Sequence, residues 1–119
     1  MFLGIFGPGP NPSACFVEDG KILYWAEEER YTRIKTSPNS FPVNSIKAGL
    51  QYLGRDEDEI KAIGYGWDCE DYSKEANMNL LTTIQKYPSE SDYLNQLAQQ
   101  QINSRYDPEA IKNSVARFF

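Results

Sequence analysis

Short apolar runs separated by turn residues open the chain, and longer runs with helical spacing follow them. Phe2-Leu3-Gly4-Ile5-Phe6 ends at once in Gly7-Pro8-Gly9-Pro10, which fits a buried strand running into a loop. Ala14-Cys15-Phe16-Val17 and Ile22-Leu23-Tyr24-Trp25-Ala26 flank Glu18-Asp19-Gly20-Lys21. Asp-Gly between two apolar runs predicts a hairpin, so three adjacent strands lead the fold.

After the charged stretch Glu27 to Lys35 comes a polar loop, Thr36 to Ser40. Val43, Ile46, Leu50 and Leu53 then recur at helical spacing, with Pro42 near the start and Gly54 placed to stop the helix. Residues 60 to 65 predict a fourth strand, followed by the loop Gly66-Trp67-Asp68. From about Ser73 the pattern is helical and more polar. Leu80, Leu81 and Ile84 mark one helix ended by Pro88, and Tyr93, Leu94, Leu97 and Ile102 mark another. Asp107-Pro108 forms an N-cap and first-turn pair for a third, carrying Ile111, Val115 and Phe118. The order is α/β. No strand signal follows the last helix, and connections in such sheets normally return to the sheet, so the expectation is a single partial domain over residues 1–119.

Hydrophobic residues make up 40% of the 119, enough for one modest core. The net charge of −5 argues against a nucleic-acid duplex or an anionic membrane as partner, since both need concentrated cationic surface. The first apolar run is too short for a membrane span and lacks a basic lead-in, so the sequence is read as soluble and cytoplasmic. Cys15 and Cys69 lie far apart without CxxC spacing, which disfavours a disulfide framework or a zinc site. With no histidine, the chain supplies no Ser-His-Asp triad, Cys/His dyad or imidazole base of its own.

Two stretches offer binding chemistry. The turn Gly7 to Ser13 has small residues and the Ser13 hydroxyl, as an anion cradle would need, but Pro8, Pro10 and Pro12 each remove an N–H donor, as a plain rigid turn would allow. In Glu27-Glu28-Glu29-Arg30-Tyr31-Thr32-Arg33-Ile34-Lys35, a continuing strand would put Glu27 and Glu29 on one face, as acid/base chemistry or a hard cation requires. Arg30, Arg33 and Lys35 suit a phosphate: guanidinium binds oxygens as a fork and ammonium as a point charge. The same run also reads as a solvated charged face. Cys15, inside an apolar strand, reads as a small core residue, and Trp67-Asp68-Cys69 follows a strand where α/β sheets often bind ligands, though it reads first as a loop aromatic that merely packs.

Residues 12 to 22, PSACFVEDGKI, followed by Ala26 to Lys35, AEEERYTRIK, resemble the start of the NodU/CmcH O-carbamoyltransferase family. Phe41-Pro42 opening a helix and Ile63-Gly64-Tyr65-Gly66-Trp67-Asp68 resemble it too, so the likeness spans roughly residues 2 to 68. It implies the first lobe of a Kae1-like domain, ribonuclease-H-like and actin-like (ASKHA), truncated before the family's metal-binding histidine stretch. Such enzymes make carbamoyl-adenylate from carbamoyl phosphate and ATP in a YrdC-like domain and pass the carbamoyl group to a substrate hydroxyl, as in antibiotic or Nod-factor biosynthesis.

On that resemblance Lys35 stands at the family's lysine for the carbamoyl-bearing ligand, and Ser13, Asn11, Arg30 and Arg33 accompany it as ligand-binding candidates. Asn11 stands where the family has the Asp of a His-Asp pair, and Pro10 where it has that His, the base in transfer. Proline accepts no proton, so no catalytic set is intact in this chain. No metal ligand falls within it, because the histidines for the iron-type metal are expected just beyond Phe119. Activity would need the missing C-terminal lobe and YrdC-like domain. Two alternatives remain: a non-catalytic binding or assembly module that keeps the lobe and forms a homodimer by strand pairing, and a lobe of a related sugar kinase or ATPase.

Overall fold

A computed structural model describes residues 1–7, 9–38, 40–66, 68–101 and 107–117. The chain forms two compact units, residues 1–66 and 67–117. Among the described residues the architecture is mixed α/β, with one four-stranded sheet and five helices.

Strands β1 (Phe2–Phe6), β2 (Ser13–Glu18) and β3 (Lys21–Glu27) are antiparallel neighbours, and β4 (Ala62–Tyr65) pairs parallel to β1, in the order β3-β2-β1-β4. The hairpin forms where Asp-Gly predicts it. Asp19 and Gly20 have φ of 50° and 73°, as a two-residue turn whose twist matches the strands demands, and Glu18 pairs with Lys21. Between Phe16 and Val17 the register slips, because Tyr24 faces Phe16 while Ile22 faces Val17; Leu23 is the extra residue of a bulge. Helix α1 (Glu29–Thr32) follows β3 and ends on Arg33 in the left-handed region, and α2 (Val43–Leu53) makes the crossover to β4.

The core lies between α2 and one face of the sheet. Leu3, Ile5, Ala14 and Phe16 alternate inward from β1 and β2, and Ile46 meets them from α2. The helix comes in close at Gly49: a Cβ there would lie 2.8 Å from Cδ1 of Tyr24 and overlap the Phe16 ring. Only glycine fits that approach. Phe16, Tyr24 and Tyr52 stack their rings beneath and beside it, with centroids 6.3 and 5.6 Å apart. At the other end of the sheet the Met1 ammonium, buried, meets Glu18 at 3.2 Å. Arg55 bridges Glu18 at 3.3 Å to Glu59 at 2.5 Å.

Unit two is helical: α3 (Cys69–Lys86), α4 (Ser91–Gln101) and α5 (Pro108–Ala116). Asp68 accepts a hydrogen bond from the Asp71 N–H at 3.0 Å, which starts α3 at Cys69, earlier than the periodicity from Ser73 indicates. A 3-10 turn, Pro88–Glu90, separates α3 from α4, as the proline predicts. Asp107 accepts from the Glu109 N–H at 3.0 Å and Pro108 opens α5, so the expected cap pair is present. Trp67, Ile102 and Phe118 lie outside the described residues. No helix among the described residues is long and apolar enough to cross a membrane.

Candidate functional site

The turn leading into β2 and the charged run after β3 meet where β1 gives way to β2 and β3 gives way to α2. Three contacts organise this region, and each has a physical cause.

The first involves Glu28, the middle of the three glutamates. It is only 1% exposed. A carboxylate in that position needs compensation, and it gets four hydrogen bonds. Asn44 donates from its N–H at 3.1 Å and from Nδ2 at 2.6 Å, and Ser45 from its N–H at 2.9 Å and Oγ at 2.9 Å. Those backbone groups are among the N–H donors that the first turn of α2 leaves unpaired, and Pro42 at the N-cap has no side chain to satisfy them. Glu28 therefore caps α2 from sixteen residues upstream, its charge suiting the positive end of the helix.

The second contact fixes Thr36. Its N–H donates to Oε2 of Glu29 at 2.5 Å, and its C=O accepts from the Asn11 N–H at 2.9 Å. The third is Glu28 N–H to the Pro12 C=O at 2.8 Å. Together they hold the turn between β1 and β2 against the loop after α1. Gly7, Gly9 and Pro12 are buried within this junction, whereas Pro10 and Asn11 are exposed, Asn11 with φ of 55°. Gly7, at φ of 127°, could not carry a Cβ, which would fall 2.9 Å from the Pro12 Cβ. In the loop itself the Thr32 and Ser37 hydroxyls bond to each other, and Ser37 is buried.

These contacts place the candidates as follows. Lys35 is exposed beside Thr36, one residue from the bond to Asn11, and makes no hydrogen bond or ion pair among the described residues. Ser13 opens β2, half-buried. Arg33 is exposed as the left-handed cap of α1. Arg30 is exposed on α1 and faces a different feature, described next. The structure thus unites Asn11, Ser13 and the backbone around Lys35. The shared strand face expected for Glu27 and Glu29 does not exist, since β3 ends at Glu27 and Glu29 begins α1. Glu29 binds a backbone amide instead.

Two concavities flank this junction. On the sheet face turned away from α2, Gly4 pairs with Gly64 and Cys15 with both Gly4 and Trp25, leaving a depression of about 320 Å³ edged by Phe6, Ser13 and Trp25. Burial raises the Cys15 thiol pKa above its ordinary value. Along the free edge of β3 lies a cleft of about 500 Å³ lined by Tyr24, Trp25, Ala26, Glu27, Arg30 and Tyr31. The Tyr24 and Tyr31 hydroxyls bond to each other, and burial followed by that bond pushes Tyr24 well above the usual tyrosine range.

Sequence reasoning missed the capping by Glu28 and the aromatic cleft. The cap had no local signal, because helix-start rules look three or four residues back. The cleft had one: Trp25 lies just before a charged run and Tyr31 within it. Among the described residues no group of three or more His, Cys, Asp or Glu side chains is arranged to hold a metal. No protein-family model matches the chain.

Proposed function

We propose that this chain is the first lobe of an actin-like, ribonuclease-H-like domain from an O-carbamoyltransferase, and that its β1–β2 turn and Lys35 loop hold the carbamoyl-bearing phosphate ligand. Carbamoyl phosphate or carbamoyl-adenylate, formed with ATP elsewhere in the enzyme, is the donor, and a substrate hydroxyl is the acceptor. The observation that carries the reading is the bond from the Asn11 N–H to the Thr36 C=O at 2.9 Å. It ties the residue after Lys35 to the turn, and an ammonium on that loop, with small turn residues and a serine hydroxyl, would suit phosphate oxygens. The strand order, with three antiparallel strands and a fourth parallel to the first after a helical crossover, is the order such a lobe requires. The AEEERYTRIK run supports it on the sequence side.

Within this lobe the residues bind rather than react. Pro10 and Asn11 supply no base at the turn, so proton removal from the acceptor falls to groups outside these residues. The test is a titration of the full chain with carbamoyl phosphate, followed by amide shifts at Ser13 and Thr36. Saturable shifts there that vanish in Lys35→Ala are expected, and shifts that persist unchanged in that variant would refute the role of Lys35.

The exposed Pro10 favours a second reading, a non-catalytic assembly module with the same lobe. Sedimentation separates the two. A dimer at micromolar concentration with no response to carbamoyl phosphate supports the module, whereas a monomer that binds the donor excludes it.

A further inference from the structure

The cleft on the free edge of β3 combines exposed aromatic side chains with a cation and a carboxylate. Tryptophan is among the most buried residue types on average, yet Trp25 is 59% exposed and Tyr31 is 41% exposed, and both line the same concavity. Its volume, about 500 Å³, falls in the range of small-molecule sites, which combine aromatic walls with a few polar groups. The aromatic wall is held in place: Tyr31 bonds to Tyr24, and the Tyr24 ring packs at a tilt against buried Phe16 and against exposed Tyr52. The polar groups are Arg30, which makes no hydrogen bond or ion pair among the described residues, and Glu27.

We propose that this cleft binds a small planar aromatic acid bearing a hydrogen-bond donor. The ring lies on Trp25, where stacking on an indole adds to simple burial. The carboxylate takes the Arg30 guanidinium as a fork, a geometry a lysine does not reproduce. Glu27 accepts from the hydroxyl or amine of the ligand and repels a second negative charge, which selects a monoanion. The Tyr24 and Tyr31 hydroxyls, bonded to each other, complete the wall. This site stands apart from the Lys35 loop and does not depend on the carbamoyl reading.

The test uses the full chain and 4-hydroxybenzoate as probe, with benzamide and cyclohexanecarboxylate as comparators that remove the charge or the flat ring. Binding is followed by calorimetry and by saturation transfer from protein to ligand protons. The expected result is saturable binding of 4-hydroxybenzoate at least about tenfold tighter than either comparator. Trp25→Ala and Arg30→Ala should each weaken it by about tenfold or more, and Arg30→Lys should recover only part of the loss. Both side chains are exposed, so the variants are expected to fold, and circular dichroism verifies that they do. Absence of binding at about 10 mM probe, equal binding of the comparators, or affinity unchanged in both alanine variants would overturn the proposal.

Discussion

Replacing Glu28 by glutamine tests the central junction with almost no change in shape. The carboxylate accepts four hydrogen bonds, from the N–H and Nδ2 of Asn44 and the N–H and Oγ of Ser45. A glutamine keeps one accepting oxygen and turns two donors toward the other pair. The Ser45 hydroxyl can rotate and accept from the new amide, but a backbone N–H cannot, so at least one buried donor loses its partner. That loss costs about 1–3 kcal/mol. Losing the charge at the positive end of α2 adds about 1–2 kcal/mol in a buried geometry. Against this, the glutamine no longer needs to be stripped of an ion's hydration, which offsets part of the sum. A net destabilisation of about 2–4 kcal/mol is expected, a large share of the roughly 5–15 kcal/mol of a typical domain. Thermal unfolding followed by circular dichroism should then shift down by something on the order of 10–20 °C. Hydrogen exchange at the Asn44 and Ser45 amides should also accelerate before that at Leu3 or Phe16 in the sheet. The matched control is Glu27→Gln, one residue away and half-buried at the β3 edge, which should move the midpoint little. If Glu28→Gln unfolds within about a degree of the wild type, the carboxylate is not what holds the start of α2.

Three further outcomes follow from the same coordinates. Gly49→Ala should destabilise: the helix gains about 1 kcal/mol from alanine, but the new Cβ strikes the Phe16 and Tyr24 rings and overpacking costs about 1–3 kcal/mol, so a denaturant midpoint that rises would contradict the close approach. Glu59 has its pKa lowered chiefly by its hydrogen bond from Arg55, so the stability it contributes is present above the ordinary carboxylate pKa of about 4 and is lost as pH falls through its lower folded value; carbon-detected titration should show that depression, and Arg55→Gln should abolish most of it. Cys15, with its thiol pushed up by burial, should react with iodoacetamide more slowly than a free cysteine at pH 7.5 when its peptide is followed by mass spectrometry, and labelling as fast as the free amino acid would count against its burial.

Where local chemistry decides, the sequence was legible. Asp19-Gly20 specified the hairpin because a two-residue turn with both φ positive accepts few other pairs. The apolar spacing from Val43 to Leu53, with Gly54 as a left-handed stop, marked α2 to the residue. Asp107-Pro108 marked the start of α5 in the same way. Where distant residues decide, it was not. Nothing in a run of three glutamates says which carboxylate turns inward. That depends on where β3 ends, and the backbone leaves the strand at Glu28, so a strand alternation linking Glu27 to Glu29 is broken. The role of Glu28 depends on the first turn of a helix sixteen residues later. The parallel pairing of β4 with β1 likewise comes from tertiary packing, since an apolar run carries no mark of the partner it joins. At the site, Lys35 as the family's lysine rests only on resemblance, whereas no sequence rule links Asn11 to Thr36, whose backbone groups bond across 25 residues.

The grip of Glu28 on Asn44 and Ser45 also turns the segment between them into a latched arm, closed at its base whatever its tip does. Closing a longer arm costs little, about 0.6 kcal/mol for each doubling of length, so extra residues grafted beside the exposed Pro38 should leave strands and helix standing. The base is where that freedom ends. The tip can therefore be rebuilt while the latch itself stays unchanged.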